Sequence, residues 1–420
     1  MGKKGKRSTE KNPLDYIAVL LCTIIIVFFA VALIGSFLLK GNVKKIEIPD
    51  EILSSVKEVA SPNSGSNNTE KTEEVQPEEP ETFDSLKIIA TGDIMCHNTQ
   101  FKDAYKNGVY DFGYVFEDIK DYIEGADLAI GNLETTFPGN GKYSGYPQFN
   151  TPEGLITTLK EVGFDVLTTA NNHCVDTGYA GVEGTLNTLD KEGILHTGTA
   201  RSKEEQDTIL ITEVNGYKIA ILAYTYGTNG IPIPKGKEFS VNLIDNDFIK
   251  EQLDKAKEQK PDLIIACMHW GQEYLKAPTK EQESEANFLF ENGVDIIIGN
   301  HPHVLEPLEQ RTIEYEGKQK EVFVVYSLGN LMSGQTQAGT RTSILLSLDL
   351  KKSSKTGDIK IETIDCIPIY TYTNPNYKNY KIMDIIKRLK AYDDGDKSIS
   401  STYVQTFRSE LDRVTAMYEN

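Results

Sequence analysis

Basic residues are scarce in this chain: 44 Lys and Arg stand against 62 Asp and Glu in 420 residues, a formal net charge of -18. Such a chain repels a phosphate backbone, which excludes non-specific nucleic-acid binding. Cysteine is sparse as well. The five thiols, Cys22, Cys96, Cys174, Cys267 and Cys366, are odd in number and far apart, which suits neither a disulfide scaffold nor a structural zinc site. There is one tryptophan, Trp270, and no internal repeat. Glycine and proline, 33 and 16 residues, are too few for a collagen-like or wholly disordered chain. The length leaves room for one large α/β unit or two smaller ones.

A long hydrophobic run is present near the start. Ile17 to Leu39 is an uncharged apolar stretch of 23 residues, enough to cross a hydrocarbon core of about 30 Å at about 1.5 Å per residue. It ends in Phe37, Leu38, Leu39 and Lys40 rather than in small residues at a cleavage site, so it reads as an uncleaved signal anchor. Lys3, Lys4, Lys6, Arg7 and Lys11 precede it against Glu10 and Asp15, which places residues 1–16 in the cytoplasm as a basic tail and everything after Leu39 outside the cell membrane. The part after residue 40 carries 38 basic and 60 acidic residues, net -22, and will not lie flat on an anionic bilayer. Contact with lipid is therefore expected through residues 17–39 alone. Residues 40–84 read as a disordered acidic linker, because Ser61 to Thr82 holds Val75 as its only large apolar residue and cannot bury enough surface to offset its ordering entropy.

From Ser85 the pattern changes to short apolar runs separated by amphipathic segments, the signature of βαβ units. A main domain is expected over 85–375, with a C-terminal helical extension over 376–420. Six runs finish in metal-capable or acid/base residues: LKIIATGD at Asp93, DLAIGNLE at Glu134, DVLTTANNH at His173, DLIIACMHW at His269, VDIIIGNHPH at His303 and VFVVYSLGN at Asn330. In open α/β sheets the functional crevice lies at the carboxyl ends of strands, so these tips are expected on one rim. The alternating segments TILITEVNG, YKIAILAYTY, TSILLSLDL and DIKIETIDCIPI are expected to form the other sheet of a sandwich. Thr279 to Asn292 reads as a helix with a Thr cap, an acidic first turn and a stop at Gly293.

The chain has only six histidines, at 97, 173, 196, 269, 301 and 303. Any one of them could simply cap a turn. Five, however, fall within the strand-end motifs, and Asp93, Glu134, Asn172, His269, His301 and His303 together make a mixed oxygen and nitrogen set suited to Mn, Fe or Zn rather than Ca or Mg. In an extended segment His301 and His303 face the same side and can reach one cluster. His97 could join the set from a turn. Asn172 as a ligand leaves the adjacent His173 to move protons, protonating a leaving group. Asp176 either shares that task or merely hydrogen-bonds His173 to stabilise the turn before a helix over Gly178 to Glu192. His196 is expected to be structural. Trp270 in HWGQEY, Asn330, and Arg341 in the Gly-rich SGQTQAGTRTS are candidate substrate contacts, the last for a carboxylate or phosphate.

GDIM at Gly92 to Met95, GNLE at Gly131 to Glu134, ANNH at Ala170 to His173, HWGQEY at His269 to Tyr274, GNHPHV at Gly299 to Val304 and YSLGN at Tyr326 to Asn330 resemble the bacterial capsule-synthesis CapA/PgsA family. The resemblance covers about residues 86–335. It implies a calcineurin-like metallophosphatase fold, a four-layer β-sandwich flanked by helices, with a site for one or two divalent ions at the strand ends. Matching by motif carries the ligand roles onto Asp93, Glu134, Asn172, His269, His301 and His303 and the proton donor onto His173. Two positions depart from the superfamily pattern: Met95 stands where its first motif has His, and Glu134 where it has a bridging Asp. The family also implies an exterior protein serving poly-γ-glutamate or another anionic capsule polymer, with that polymer or its precursor and membrane-embedded synthesis proteins as partners. Three functions fit these expectations: a metal-dependent phosphoesterase-type hydrolase, a non-catalytic assembly or export component, and an acyl-transfer or amide-hydrolysing enzyme acting on the polymer.

Overall fold

The structure, a computed structural model, describes residues 81–418 apart from 375 and 377. The apolar run 17–39 and the linker up to residue 80 lie outside the described residues. Among the described residues no helix is long and apolar enough to cross a membrane. The described residues form sixteen strands in chain order: β1 (Phe83–Ile94), β2 (Tyr105–Lys106), β3 (Val109–Tyr110), β4 (Leu128–Leu133), β5 (Val166–Thr168), β6 (Leu195–Thr197), β7 (Leu210–Val214), β8 (Tyr217–Thr225), β9 (Leu263–His269), β10 (Ile296–Asn300), β11 (Leu308–Tyr315), β12 (Lys318–Val325), β13 (Asn330–Met332), β14 (Thr342–Ser353), β15 (Ile359–Tyr372) and β16 (Lys381–Asp384).

Two mixed sheets contain all but the β2–β3 hairpin. The first has the order β16-β15-β14-β1-β4-β5-β6, with β13 beside the end of β1; the second has the order β11-β12-β10-β9-β8-β7. β1, β4, β5 and β6 run parallel, as do β8, β9, β10 and β12. Central strands buried on both faces must be apolar at nearly every position, and the alternation of their side chains divides them between layers. In β9, Leu263, Ile265 and Cys267 enter the core shared with Leu86, Ile88 and Ala90 of β1 and Ile344, Leu346 and Leu348 of β14. Ile264, Ala266 and Met268 enter a separate core with Leu253, Leu289 and Phe290, from the helices Asn246–Glu258 and Lys280–Glu291. A third core packs the helices Gly154–Val162 and Tyr179–Glu192 on the outer face of the first sheet. Helix, sheet, sheet and helix therefore form four layers, the architecture that the resemblance implies.

Two expectations are corrected. The motif-bearing strands do not share one sheet: β1, β4 and β5 belong to the first and β9, β10 and β12 to the second, while β14 and β15 join the first and β7 and β8 the second. Parallel strands ending at the same end of both sheets bring the tips together across the sandwich, so a single rim is not required. At the C-terminus, β16 pairs with β15 inside the first sheet before the helices Ile385–Asp393 and Ser401–Tyr418 begin. The expected Thr279-capped helix is present, with a capping box between Thr279 and Gln282.

Candidate metal centre

Backbone packing explains where the tips lie. A Cβ on Gly92 would stand 1.9 Å from the Gly329 carbonyl oxygen, and one on Gly299 would stand 2.0 Å from that of Tyr326. Only glycine lets the chains approach so closely. The approach sets the end of β1 against the YSLGN turn, where Asp93 N donates to Gly329 O at 3.0 Å. After β10 the chain turns sharply. His301 and His303 have φ of 100° and 60°, so a left-handed turn, rather than the extended segment expected, carries both imidazoles to the site. Left-handed backbone at residues with a Cβ costs about 1–3 kcal/mol each and persists where the surroundings enforce it.

Asp93, Glu134, Asn172, His173, Asp176, His269, His301 and His303 are all buried. Asp93 Oδ1 accepts from Asn132 Nδ2 at 2.8 Å. His303 Nδ1 lies 3.0 Å from Asp93 Oδ2 and 3.0 Å from Asn330 Oδ1. Both are acceptors, so Nδ1 carries the proton and Nε2 keeps a lone pair. His173 Nδ1 lies 2.7 Å from Asp176 Oδ2, which fixes the same tautomer. Its Nε2 faces Asn229 Nδ2 at 3.4 Å. His269 Nε2 lies 2.8 Å from Asn172 Oδ1.

Glu134 stands at the centre. Its Oε1 is 3.8 Å from His269 Nε2, 3.9 Å from His303 Nε2 and 4.0 Å from His173 Nε2, and neither carboxylate oxygen has a hydrogen-bond partner. His301 Nδ1 is also buried without one. A buried polar atom left unpaired costs about 1–3 kcal/mol, yet here both oxygens of a buried carboxylate stand without a hydrogen-bond partner amid the imidazoles of His269, His303 and His173. That set fits a divalent cation. Burial and the neighbouring Asp93 hold the Glu134 carboxyl well above the usual range. Burial, then His301 and His303, keep His269 well below the ordinary imidazole value, and burial followed by His303 lowers His301 to about 3. Two ligand groups can be drawn: Asp93, Glu134 and His269, all buried, and Glu273, His301 and His303, with Glu273 exposed; in each, the candidate ligand atoms lie within 4.8 Å of one another.

Beside the centre lies a cavity of about 300 Å³, lined by His97, Tyr146, Phe149, His173, Glu273, Tyr274 and His303 among others. His97 belongs to this wall and to neither ligand group. Its Nδ1 accepts from Gly334 N at 3.0 Å, and burial followed by His303 and His173 lowers it to about 4. None of the three side chains expected to contact substrate lines this cavity. Trp270 is buried, its indole donating to Tyr326 O at 3.0 Å. Asn330 is spent on His303, on Gln335 Oε1 and on Thr340 O. Arg341 hydrogen-bonds Tyr370 and Tyr403 instead. His196 pairs with Asp190 at 2.9 Å, away from the site.

Sequence reasoning did not single out Asn132, Asn171, Tyr226, Asn229 or Glu273. Asn132 was visible as the residue two before Glu134 on the same strand face. Asn171 donates to Leu133 O at 2.9 Å and accepts from His173 N at 3.1 Å, binding two tips together. Tyr226 packs on His301 with ring centroids 4.5 Å apart. It and Asn229 follow β8, whose sequence carries no metal-ligand pattern.

The pattern of the family described as bacterial capsule synthesis protein PGA_cap matches residues 87–335. The capsule biosynthesis protein CapA of Bacillus anthracis is 28% identical over 290 residues, 67% of this chain and 68% of that one. The PGA biosynthesis protein CapA of Bacillus subtilis is 31% identical over 286 residues, 67% of this chain and 72% of that one. Among solved structures, a calcineurin-like phosphoesterase from Bacillus subtilis covers 71% of this chain and 94% of its own at 17% identity and a TM-score of 0.43.

Proposed function

From the premise that the chain belongs to the bacterial capsule-synthesis CapA family, we propose that it acts in the production of capsule poly-γ-glutamate or a related anionic polymer as a metal-dependent hydrolase of phosphoesterase type. In this reading residues 17–39 anchor it in the cell membrane with residues 1–16 inside, and the linker holds the folded domain outside, within reach of the polymer and of membrane-embedded synthesis proteins. The observation that carries the hydrolase reading is Glu134: a fully buried carboxylate with two unpaired oxygens, ringed by imidazole nitrogens.

Asp93, Glu134, Asn172, His269, His301 and His303 would hold the divalent cation, with Mn, Fe or Zn favoured by the donor types. Bound there, such an ion polarises the scissile group and lowers the pKa of water. The remaining work falls to the protein. Asp176 Oδ2, itself held by Phe149 N at 2.7 Å, orients the His173 Nδ1–H and leaves Nε2 aimed at the centre. A proton on Nε2 can be given to a leaving group and recovered afterwards. The edge of Phe149 against the His173 ring, centroids 4.7 Å apart, keeps the imidazole in place. Asn132 steers Asp93, and Asn330 steers His303.

Deleting the gene should reduce surface polymer, and a full-length copy should restore it. A copy carrying Asp93→Ala, His269→Ala and His301→Ala should fail to restore it at equal abundance. Restoration by that triple variant would favour a non-catalytic assembly role, and unchanged polymer on deletion would refute the capsule reading. Protease added to wall-less cells should release the domain after residue 40; full protection would reject the orientation.

A further inference from the structure

His97 stands in the wall of the 300 Å³ cavity, outside both ligand groups, and proton transfer by His173 leaves it without a task. The fold nevertheless fixes its ring. Gly334 N donates to His97 Nδ1 at 3.0 Å, so Nδ1 is the acceptor and the neutral imidazole carries its proton on Nε2. A Cβ on Gly334 would stand 2.8 Å from His97 Cγ, and glycine is what lets that loop close on the ring. Beneath the ring, His97 N donates to Gln100 Oε1 at 2.8 Å and holds the backbone at the start of the helix Asn98–Ala104. The imidazole meets Phe149 edge-on, centroids 5.1 Å apart, and Phe149 meets His173 in the same way at 4.7 Å. One aromatic ring therefore spaces the two imidazoles. Among the described residues no hydrogen bond occupies His97 Nε2, which leaves its N–H to the cavity that the ring lines.

We propose that His97 is a substrate-binding residue whose Nε2–H donates to a non-reacting oxygen of a phosphoryl group seated beside the metal centre. This rests on the phosphoesterase reading above and names the residue that holds the substrate's oxygen. Neither Lys nor Arg lines the cavity, so no cationic side chain takes that role there. The other side-chain amides in the same wall, Gln335 and Gln337, each place Nε2 at 3.4 Å from the Tyr274 hydroxyl, which makes the wall one of uncharged donors. Such a donor gains strength as negative charge gathers on the oxygen during attack, and a ring already fixed in place needs no reorganisation to deliver it. Across Phe149, His173 serves the oxygen that leaves while His97 holds one that stays. His97 comes two residues after Met95, and the turn that follows β1 carries it onto the cavity wall.

The test uses the full-length chain in detergent, loaded with Mn²⁺ and titrated with inorganic phosphate. Bound metal is counted by mass spectrometry after gel filtration, and phosphate affinity is read from the relaxation that the ion imposes on the phosphorus resonance. Two substitutions separate the two nitrogens. His97→Asn keeps an acceptor near the Nδ1 position for Gly334 N and removes the donor at Nε2. His97→Gln reaches the Nε2 position with an amide donor and gives up the acceptor at Nδ1. Both should bind as much metal as the wild type. His97→Asn should bind phosphate about 10- to 100-fold more weakly, the usual worth of a hydrogen bond to a charged group, whereas His97→Gln should keep most of the affinity. Unchanged affinity in His97→Asn would overturn the proposal, as would a loss in His97→Gln as large as that in His97→Asn, which would make the ring's role structural. Metal lost from both variants would make His97 a ligand and refute it equally. A wild type that holds metal but no phosphate would refute the oxygen assignment while the centre stands; a wild type that holds no metal would overturn the centre and the proposal with it.

Discussion

Replacing Glu306 by glutamine should abolish a loss of stability that the wild-type chain suffers as the pH rises. The Glu306 side chain is fully buried. Its Oε2 accepts from Gln282 Nε2 at 2.8 Å, while Oε1 has no partner. Burial, only partly offset by Gln282, raises the carboxyl from 4.5 to about 7. The folded chain therefore holds this proton more tightly than the unfolded chain does. Its contribution is complete below about pH 4.5 and is lost as the pH climbs through about 7, because the native state is then the one that binds more protons. A shift of this size is worth about 3 kcal/mol, at roughly 1.4 kcal/mol per unit. Glutamine keeps the acceptor facing Gln282 but puts an amide NH₂ where Oε1 was, at a pH-independent cost of about 1–3 kcal/mol. The slope is thus the informative quantity. Urea unfolding of both proteins between about pH 5 and 8 should show the difference in stability moving by about 3 kcal/mol in favour of Glu306→Gln. A difference that stays constant with pH would refute the reasoning.

His173→Ala should keep its bound metal and lose about 10²- to 10⁴-fold in hydrolysis of whichever substrate a phosphoester and amide panel identifies, the usual worth of proton transfer; metal lost together with activity would make His173 a ligand. Gly92→Ala places a Cβ 1.9 Å from the Gly329 carbonyl oxygen, so it should lower stability by about 2 kcal/mol or more and weaken metal binding through Asp93. Unchanged urea midpoints would show that the close approach can relax.

The strand tips were legible because each lies where an apolar run meets a ligand-type residue, and β1, β4, β9 and β10 end where those runs end. What the sequence could not show was the partition between sheets. β9 and β14 both read as apolar runs, and only packing decides that Leu263 shares a core with Leu346 while Ile264 joins the core that holds Leu253 and Leu289 of two helices. Substrate contacts were harder still. Arg341 looks free in a Gly-rich segment, but the fold brings Tyr370 and Tyr403 to it; Asn330 looks like an open amide, but its oxygen is needed by His303. Conversely, Glu273 sits four residues after His269 in the HWGQEY motif, and only the turn at Gly271 brings it to the site. Loops that fold back over a site, such as Tyr226 to Asn229, leave no periodic signal.

Metal content of the full-length chain and of Glu134→Gln bears most directly on the central claim that the strand tips form a cation centre. Both Glu134 oxygens are buried without a hydrogen-bond partner amid the imidazoles of His269, His303 and His173, so replacing one of them by an amide NH₂, which cannot ligate a cation, should abolish the site. The wild type should retain at least one divalent ion per chain through gel filtration. Glu134→Gln should retain none. Equal metal in both proteins, or none in either, would contradict the account.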